Sequence, residues 1–378
     1  MELSSRLPDV GTTIFTVMSK MATEHNAINL SQGFPDFPLD DTLIRLVYSH
    51  MQAGHNQYAP MPGLPELRQA IARMVHRTTQ MRVDPELQVT VTGGGTEALY
   101  CAITALVHPG DEVILFDPSY DSYSPSIRLA GGIPVPVSLH PPDFSIDWTE
   151  VSARITRRTR AIIINSPHNP TGSVLKESDL QALERLATQH DLLVISDEVY
   201  DRIIFDGRTH QSVLRFPVLA ERSVAVYSFG KMFHATGWKV GFTVAPTAIT
   251  TEIRRAHQFI TFSVNTPVQW ALADYLAEPT HYENLASFYE QKRNLFLEQL
   301  KGSPFVPLPC HGTYFQVCHY EGDRSDLDMA KHLTIEHRLA SIPVSVFYHN
   351  RQDRHLLRFC FAKKESTLQA AGEILRSL

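Results

Sequence analysis

From Leu87 onward the chain repeats one rhythm: an apolar, β-branched run, a break rich in Gly, Pro, Asn or Asp, then a segment with helical spacing. The strand-like runs are Gln88–Thr92, Glu112–Phe116, Arg160–Asn165, Leu192–Ser196, Val224–Val226 and Val240–Ala245. Strands alternating with helices build an α/β fold, a mainly parallel sheet with helices on its faces. The most continuously apolar run, Ala161-Ile162-Ile163-Ile164, reads as a central strand covered on both sides. Open sheets of this kind hold ligands beyond the carboxyl ends of their strands, so the breaks are where chemistry is to be sought.

Four breaks and one apolar run carry chemical signals. Val224-Ala225-Val226 runs into Tyr227-Ser228-Phe229-Gly230-Lys231. Burial lowers the pKa of such a lysine, and a depressed pKa makes the amine a nucleophile able to form a Schiff base; an ordinary surface lysine after a strand is the alternative. Gly93-Gly94-Gly95 is a turn, and a helix opens at Thr96 and runs to about Val107. Free backbone amides at such a helix start suit a phosphate, although three glycines alone signal only a tight turn. The pattern is neither G-x-G-x-x-G nor a P-loop, which argues against a dinucleotide or nucleoside triphosphate. Tyr120 and Tyr123 follow the strand ending near Asp117, either as a stacking wall or as ordinary packing. Asp197 and Glu198 are adjacent carboxylates at a strand end, poorly placed without a cationic partner. Arg358, inside the apolar run Leu356–Phe361, either meets a carboxylate or faces water at a sheet edge.

The first eighty residues hold two irregular loops, Ile28–Pro38 and Asn56–Gly63, with helices over Asp41–Gln52 and from Pro65 onward. In the first loop Gly33 either lets a backbone amide approach a ligand or has no such duty. Later helices are expected at Thr251–Thr261, Pro267–Leu276, Tyr282–Leu300, Leu327–His337 and Glu365–Leu378, with a strand at Thr313–Val317. The chain is 378 residues long, enough for a large domain and a smaller one. A formal net charge of −6 without a basic run argues against nucleic acid or an anionic membrane as partner. Cys101, Cys310, Cys318 and Cys360 are scattered, as reduced thiols of a cytoplasmic protein would be. No basic-then-apolar leader is visible at the N-terminus, and no apolar run approaches the ~18 residues of a membrane span. The histidines show no metal-ligand spacing, so no metal is expected.

Taken together, NSPHNPTG (165–172), SDEVY (196–200), SFGK (228–231) and TGWKVG (236–241) resemble the signature segments of the class I, fold-type I, pyridoxal-phosphate-dependent aminotransferases, in order and over nearly the whole chain. QGFPDF (32–37), NQYAP (56–60), DPSYDSY (117–123) and RFCFAKKES (358–366) look like methionine aminotransferases and their kynurenine–glutamine transaminase relatives. The resemblance implies a mainly parallel seven-stranded large domain over 41–280. A smaller α+β domain would comprise 281–378 together with an N-terminal arm, 1–40. It makes Lys231 the lysine that carries the cofactor as a Schiff base and later moves the substrate's proton. Asp197 would pair with the pyridine nitrogen, Tyr200 and Asn169 with the phenolic oxygen, and Tyr120 would stack on the ring. Gly95 and Thr96 would hold the phosphate with Ser228 and Lys239, Lys239 standing where many relatives have arginine. Arg358 would clamp the substrate carboxylate with Asn169 and Gly33. Tyr58 would reach the phosphate of a partner subunit, implying a homodimer with shared sites. The expected activity is ping-pong transfer of an amino group from methionine or other apolar and aromatic amino acids to a 2-oxo acid. Ile14, Phe15, Tyr58, Tyr120 and Phe347 would form the apolar pocket wall. A cysteine-conjugate β-lyase, or a kynurenine–oxoglutarate-type transaminase, on the same scaffold is the alternative. A silent binding protein would be expected to lack Lys231 or Asp197.

Overall fold

The computed structural model describes residues 3–378. Its strands, in chain order, are β1 (Ile28–Asn29), β2 (Val89–Thr92), β3 (Glu112–Asp117), β4 (Ile133–Ser138), β5 (Thr159–Asn165), β6 (Leu193–Asp197) and β7 (Ser223–Ser228). They continue with β8 (Gly241–Val244), β9 (Phe305–Pro307), β10 (Phe315–Tyr320), β11 (Leu339–Ala340), β12 (Ile342–Pro343) and β13 (Leu356–Cys360). Seven of them form one sheet in the order β2-β8-β7-β6-β5-β3-β4. All its pairings are parallel except those of β8, which runs antiparallel to both β2 and β7.

Side-chain alternation explains why this sheet is covered on both faces. Val113, Leu115, Ile163, Ile195 and Val224 pack into one apolar cluster with the helix Gly94–Leu106. Their neighbours Ile114, Phe116, Ile162, Ile164, Val194 and Ala225 enter the other cluster. A period of two thus divides one apolar run between two cores, and each fully buried aliphatic side chain contributes about 1.5–3 kcal/mol. β4, Ile-Pro-Val-Pro-Val-Ser, is a strand that the apolar pattern does not announce. It sits at the sheet edge, where a proline need not donate to a ladder.

A four-stranded antiparallel sheet (β12-β13-β10-β9) and the pair β1-β11 complete the strand set. The long helices are close to expectation, with shifted ends. Thr247–Ile260 starts four residues early, and the stretch expected as one helix at Tyr282–Leu300 is Thr280–Glu283 followed by Leu285–Leu300. β10 starts at Phe315 rather than Thr313, because Thr313 takes φ +65, outside the extended region. Among the described residues no helix is long and apolar enough to cross a membrane.

The reversal of β8 matters for position. Asn165, Asp197 and Ser228 end parallel strands on one edge of the sheet. Because β8 runs the other way, it is its beginning, Gly241, that pairs with Ser228 and with Thr92 at that edge. Lys239, two residues earlier, is thereby delivered to the same place.

Candidate active site

A cavity of about 270 Å³ lies at this edge. Of the residues singled out in the sequence, Gly33, Gly95, Thr96, Tyr120, Asn169, Asp197, Tyr200, Ser228, Lys231 and Lys239 all line it.

Its floor is built by β6 and β7. Asp197 is buried, and its Oδ2 accepts the Tyr123 hydroxyl at 2.6 Å. Burial raises its carboxyl to about 6, against the opposing pull of that hydrogen bond. β7 ends at Ser228, and the short helix Phe229–Met232 that follows carries Lys231. Part of this side chain faces the open cavity, while the enclosing protein lowers the amine to about 8 by desolvation. Its Nζ lies 5.6 Å from the ring centre of Tyr200 and 5.7 Å from that of Tyr314. Asn165, which sequence reasoning left without a role, fastens the floor. Its Nδ2 donates to the Asp197 carbonyl and its Oδ1 accepts the Asn169 N–H, both at 2.8 Å.

One end of the cavity is a cradle of backbone. The helix begins at Gly94, two residues before Thr96, and Gly94 takes φ +84. The expected glycine turn is therefore largely inside the first helical turn, since glycine alone makes this entry without strain. A Cβ at Gly95 would stand 2.9 Å from Val199 Cγ1, and one at Gly241 would stand 2.5 Å from the Tyr227 carbonyl oxygen. The helix-start amides, the Ser228 hydroxyl and the Lys239 amine form an anion-binding donor set. Lys239 adopts the left-handed conformation, φ +55, which a non-glycine residue holds at a cost of roughly 1–3 kcal/mol.

At the other end stands Arg358, fully buried, which excludes the water-facing alternative. Nη1 donates to Asn169 Oδ1 at 2.8 Å and Nη2 to the Ser31 carbonyl at 3.0 Å, while Nε is buried without a partner. Phenyl rings surround it: Phe315 at 3.9 Å, Phe15 at 5.2 Å and Phe347 at 5.4 Å from the guanidinium carbon. Burial lowers its pKa to about 10, which leaves it charged at neutral pH. Arg358 and Phe15 stand behind the lining rather than in it, and Asn169 connects the guanidinium to the cavity. Tyr314, another residue the sequence left without a role, donates its hydroxyl to the Gly33 carbonyl at 2.6 Å.

Tyr58 is not brought in. It is 83% exposed and packs edge-on against Phe262, away from the cavity of its own chain.

An amine, a carboxylate, an anion cradle and a guanidinium thus converge on one strand edge, and the aminotransferase class I and II family matches residues 25–375. The chain belongs to that family. The methionine aminotransferase of Escherichia coli K12 is 53% identical over 377 residues, covering 99% of this chain and 98% of that protein. A solved Escherichia coli structure with reported methionine aminotransferase function superposes with a TM-score of 0.98 at 52% identity, with full coverage of both chains. Kynurenine–oxoglutarate transaminase 1 of Homo sapiens is 35% identical, with 94% of this chain and 93% of that protein covered. The aminotransferase described here therefore has the fold-type I architecture, α/β with a mixed seven-stranded sheet.

Proposed function

We propose that this aminotransferase uses pyridoxal phosphate to move the amino group of methionine, and of other apolar or aromatic amino acids, to a 2-oxo acid. The residues present fit that cofactor. The cradle at Gly95 and Gly241 admits no side chain, its donors suit a phosphate dianion, and among the described residues no cation pairs with buried Asp197 as a protonated ring nitrogen would. When bound, the cofactor supplies a carbonyl and a cationic ring that withdraws electrons from the reacting carbon.

The chain's own groups do the rest. Gly95, Thr96, Ser228 and Lys239 would hold the phosphate, Tyr120 would pack on the ring, and Asp197 would favour the protonated ring nitrogen. Asn169 and Tyr200 would bind the ring oxygen. Lys231, with its amine near 8, is deprotonated often enough at neutral pH to anchor the cofactor and to carry a proton from the substrate's α-carbon. Arg358, Asn169 and the backbone of Gly33 orient the substrate carboxylate.

The observation that carries the substrate reading is the set of rings around Arg358, together with a cavity lining that holds no guanidinium among the described residues. The helix Thr247–Ile260 carries two arginines, Arg254 and Arg255, and both are engaged elsewhere. Arg254 is spent on Thr90 Oγ1 and on the carbonyls of Glu86 and Val89, and Arg255 pairs with Glu252. Lys231 and Lys239 are the cations on the cavity lining among the described residues. A distal carboxylate would thus be buried without a partner, whereas thioether sulfur packs favourably on rings. Methionine should exceed aspartate by about tenfold or more in kcat/KM with one shared oxo-acid acceptor, since apolar-pocket mismatches cost about 1–3 kcal/mol each. Aspartate equal to methionine would overturn the substrate assignment.

We further infer a homodimer in which exposed Tyr58, packed edge-on against the exposed Phe262, serves the partner's phosphate site. Mixing an inactive Tyr58→Phe chain with Lys231→Ala should restore some activity through hybrid dimers. No recovery after verified subunit exchange would argue against shared sites.

A further inference from the structure

Just outside the cavity, behind the phosphate cradle, three side chains meet on two packed helices. Glu97 Oε1 lies 2.7 Å from Cys101 Sγ and 2.8 Å from His257 Nδ1, and both Cys101 and His257 are fully buried. The other carboxylate oxygen, Oε2, accepts the Gly93 N–H at 2.8 Å. His257 Nε2 lies 3.2 Å from the Met61 carbonyl oxygen. That oxygen only accepts, so Nε2 carries a hydrogen, and a further hydrogen lies between Nδ1 and the Glu97 oxygen. The ring and the carboxylate are thus joined through one shared hydrogen. Burial pushes Glu97 up, but the hydrogen bonds from His257 and Cys101 outweigh it and hold the carboxyl below its ordinary value.

The position of this pair gives it a use. Gly93 is the residue before the helix start and has no side chain with which to cap it. Glu97 reaches back one turn to bind the Gly93 amide, in the manner of a capping box displaced by one residue. This leaves the amides of Gly95 and Thr96 unclaimed. On the opposite side the same turn is packed against Gly241, where a Cβ would stand 2.9 Å from the Gly94 carbonyl carbon. The turn is therefore gripped from both sides. Through Met61, His257 also holds the loop that carries Tyr58.

We propose that Glu97 and His257 are positioning residues that fix the phosphate-binding turn at Gly93–Thr96 and tie it to the Tyr58 loop. The proposal rests on the reading of Gly95 and Thr96 as phosphate ligands. A metal ion shared by Glu97, Cys101 and His257 is the competing account of the cluster. Two ligands of one tetrahedral zinc stand roughly 3.5 Å apart, given metal–ligand bonds of about 2.0–2.3 Å. The Glu97–His257 separation of 2.8 Å is that of a shared proton instead.

The test titrates the full-length chain, stripped of cofactor, with pyridoxal phosphate and separately with pyridoxal, which lacks the phosphate. Glu97→Ala should weaken pyridoxal phosphate about tenfold, the scale of losing a charge-assisted hydrogen bond, and pyridoxal by less than about twofold. Glu97→Gln, which keeps an acceptor for Gly93, should fall between Glu97→Ala and wild type, and it carries the test if the alanine variant does not fold. Equal weakening of both ligands, or none for either, would overturn the clamp while leaving the cofactor assignment standing. Failure of the wild-type chain to bind pyridoxal phosphate would overturn the functional reading and the clamp with it. One equivalent of tightly held metal per chain, lost in Glu97→Gln, would replace the clamp by a metal site.

Discussion

On the cavity side of the sheet's carboxyl edge, Asp197 is buried with one tyrosine hydroxyl on its Oδ2 and is raised to about 6. One residue later, away from the cavity, Glu198 is equally buried. Yet it lies 2.8 Å from His210 Nε2 and accepts the Tyr227 hydroxyl at 2.9 Å, the Ser196 hydroxyl at 2.9 Å and the Val213 N–H at 3.1 Å. Burial pushes Glu198 upward too, but His210 and these donors bring it below its ordinary value. Burial alone therefore does not decide the fate of a carboxylate; its surrounding donors do. Asp197 has only the Tyr123 hydroxyl and, at 3.3 Å on Oδ1, the Val199 N–H among the described residues, and on the proposed function a bound cationic ring would complete it. On the proposed function, two adjacent acids divide into a structural one and a functional one because they sit on opposite sides of the chain.

A graded series of variants would break this contrast if it is wrong. Asp197→Ala should lower kcat by about 10²–10³-fold, the scale of losing one preorganised electrostatic contact. Tyr123→Phe, which keeps the carboxylate but removes its hydroxyl donor, should lower it about tenfold, as for one hydrogen bond to a charged group. Glu198→Ala should change kcat by less than about threefold and instead cost about 1–3 kcal/mol of stability in urea unfolding, because it strands buried donors. Steady-state kinetics and urea titrations together rank the three. Equal rate losses in Asp197→Ala and Glu198→Ala would erase the distinction.

The two acids should also give opposite pH slopes, a smaller effect. Asp197 binds its proton more tightly folded than unfolded. In the cofactor-free chain its contribution to stability is therefore present below about pH 4 and lost as pH rises to about 6. Glu198 is depressed, so its contribution is present above the ordinary glutamate range and is lost as pH falls below it. Unfolding free energies across pH 3–7 for wild type, Asp197→Asn and Glu198→Gln isolate each slope by difference. The Asp197→Asn variant should be relatively more favourable above pH 6, and slopes of the same sign would contradict the account.

The sequence made the parallel strands legible because their apolar runs alternate between two cores, and it made their polar ends legible as a cluster. It did not reveal that β8 is reversed, since an apolar run carries no direction, although the reversal is what brings Lys239 to the cradle. It did not announce β4, whose two prolines argue against a strand until the strand is known to be an edge. Tyr123 was legible only as one of two tyrosines after a strand. Its bond to Asp197, 74 residues away, depends on the placement of β3 two strands from β6. Arg358 was legible as an anomaly, a cation in an apolar strand, but its ring environment comes from three separate segments at Phe15, Phe315 and Phe347. The partner of Glu198, His210, lies in an irregular stretch with no periodicity to point at it.

The central claim, that this cavity transfers an amino group from a thioether amino acid by way of Lys231 and Asp197, is tested most directly by a half-reaction. The purified protein loaded with pyridoxal phosphate is mixed with methionine in the absence of any acceptor, and the released acids are quantified. The account predicts about one equivalent of 4-methylthio-2-oxobutanoate per chain, with sulfur retained, and none from Lys231→Ala. Release of a thiol with loss of the sulfur, no oxo acid at all, or an undiminished yield from Lys231→Ala would contradict it.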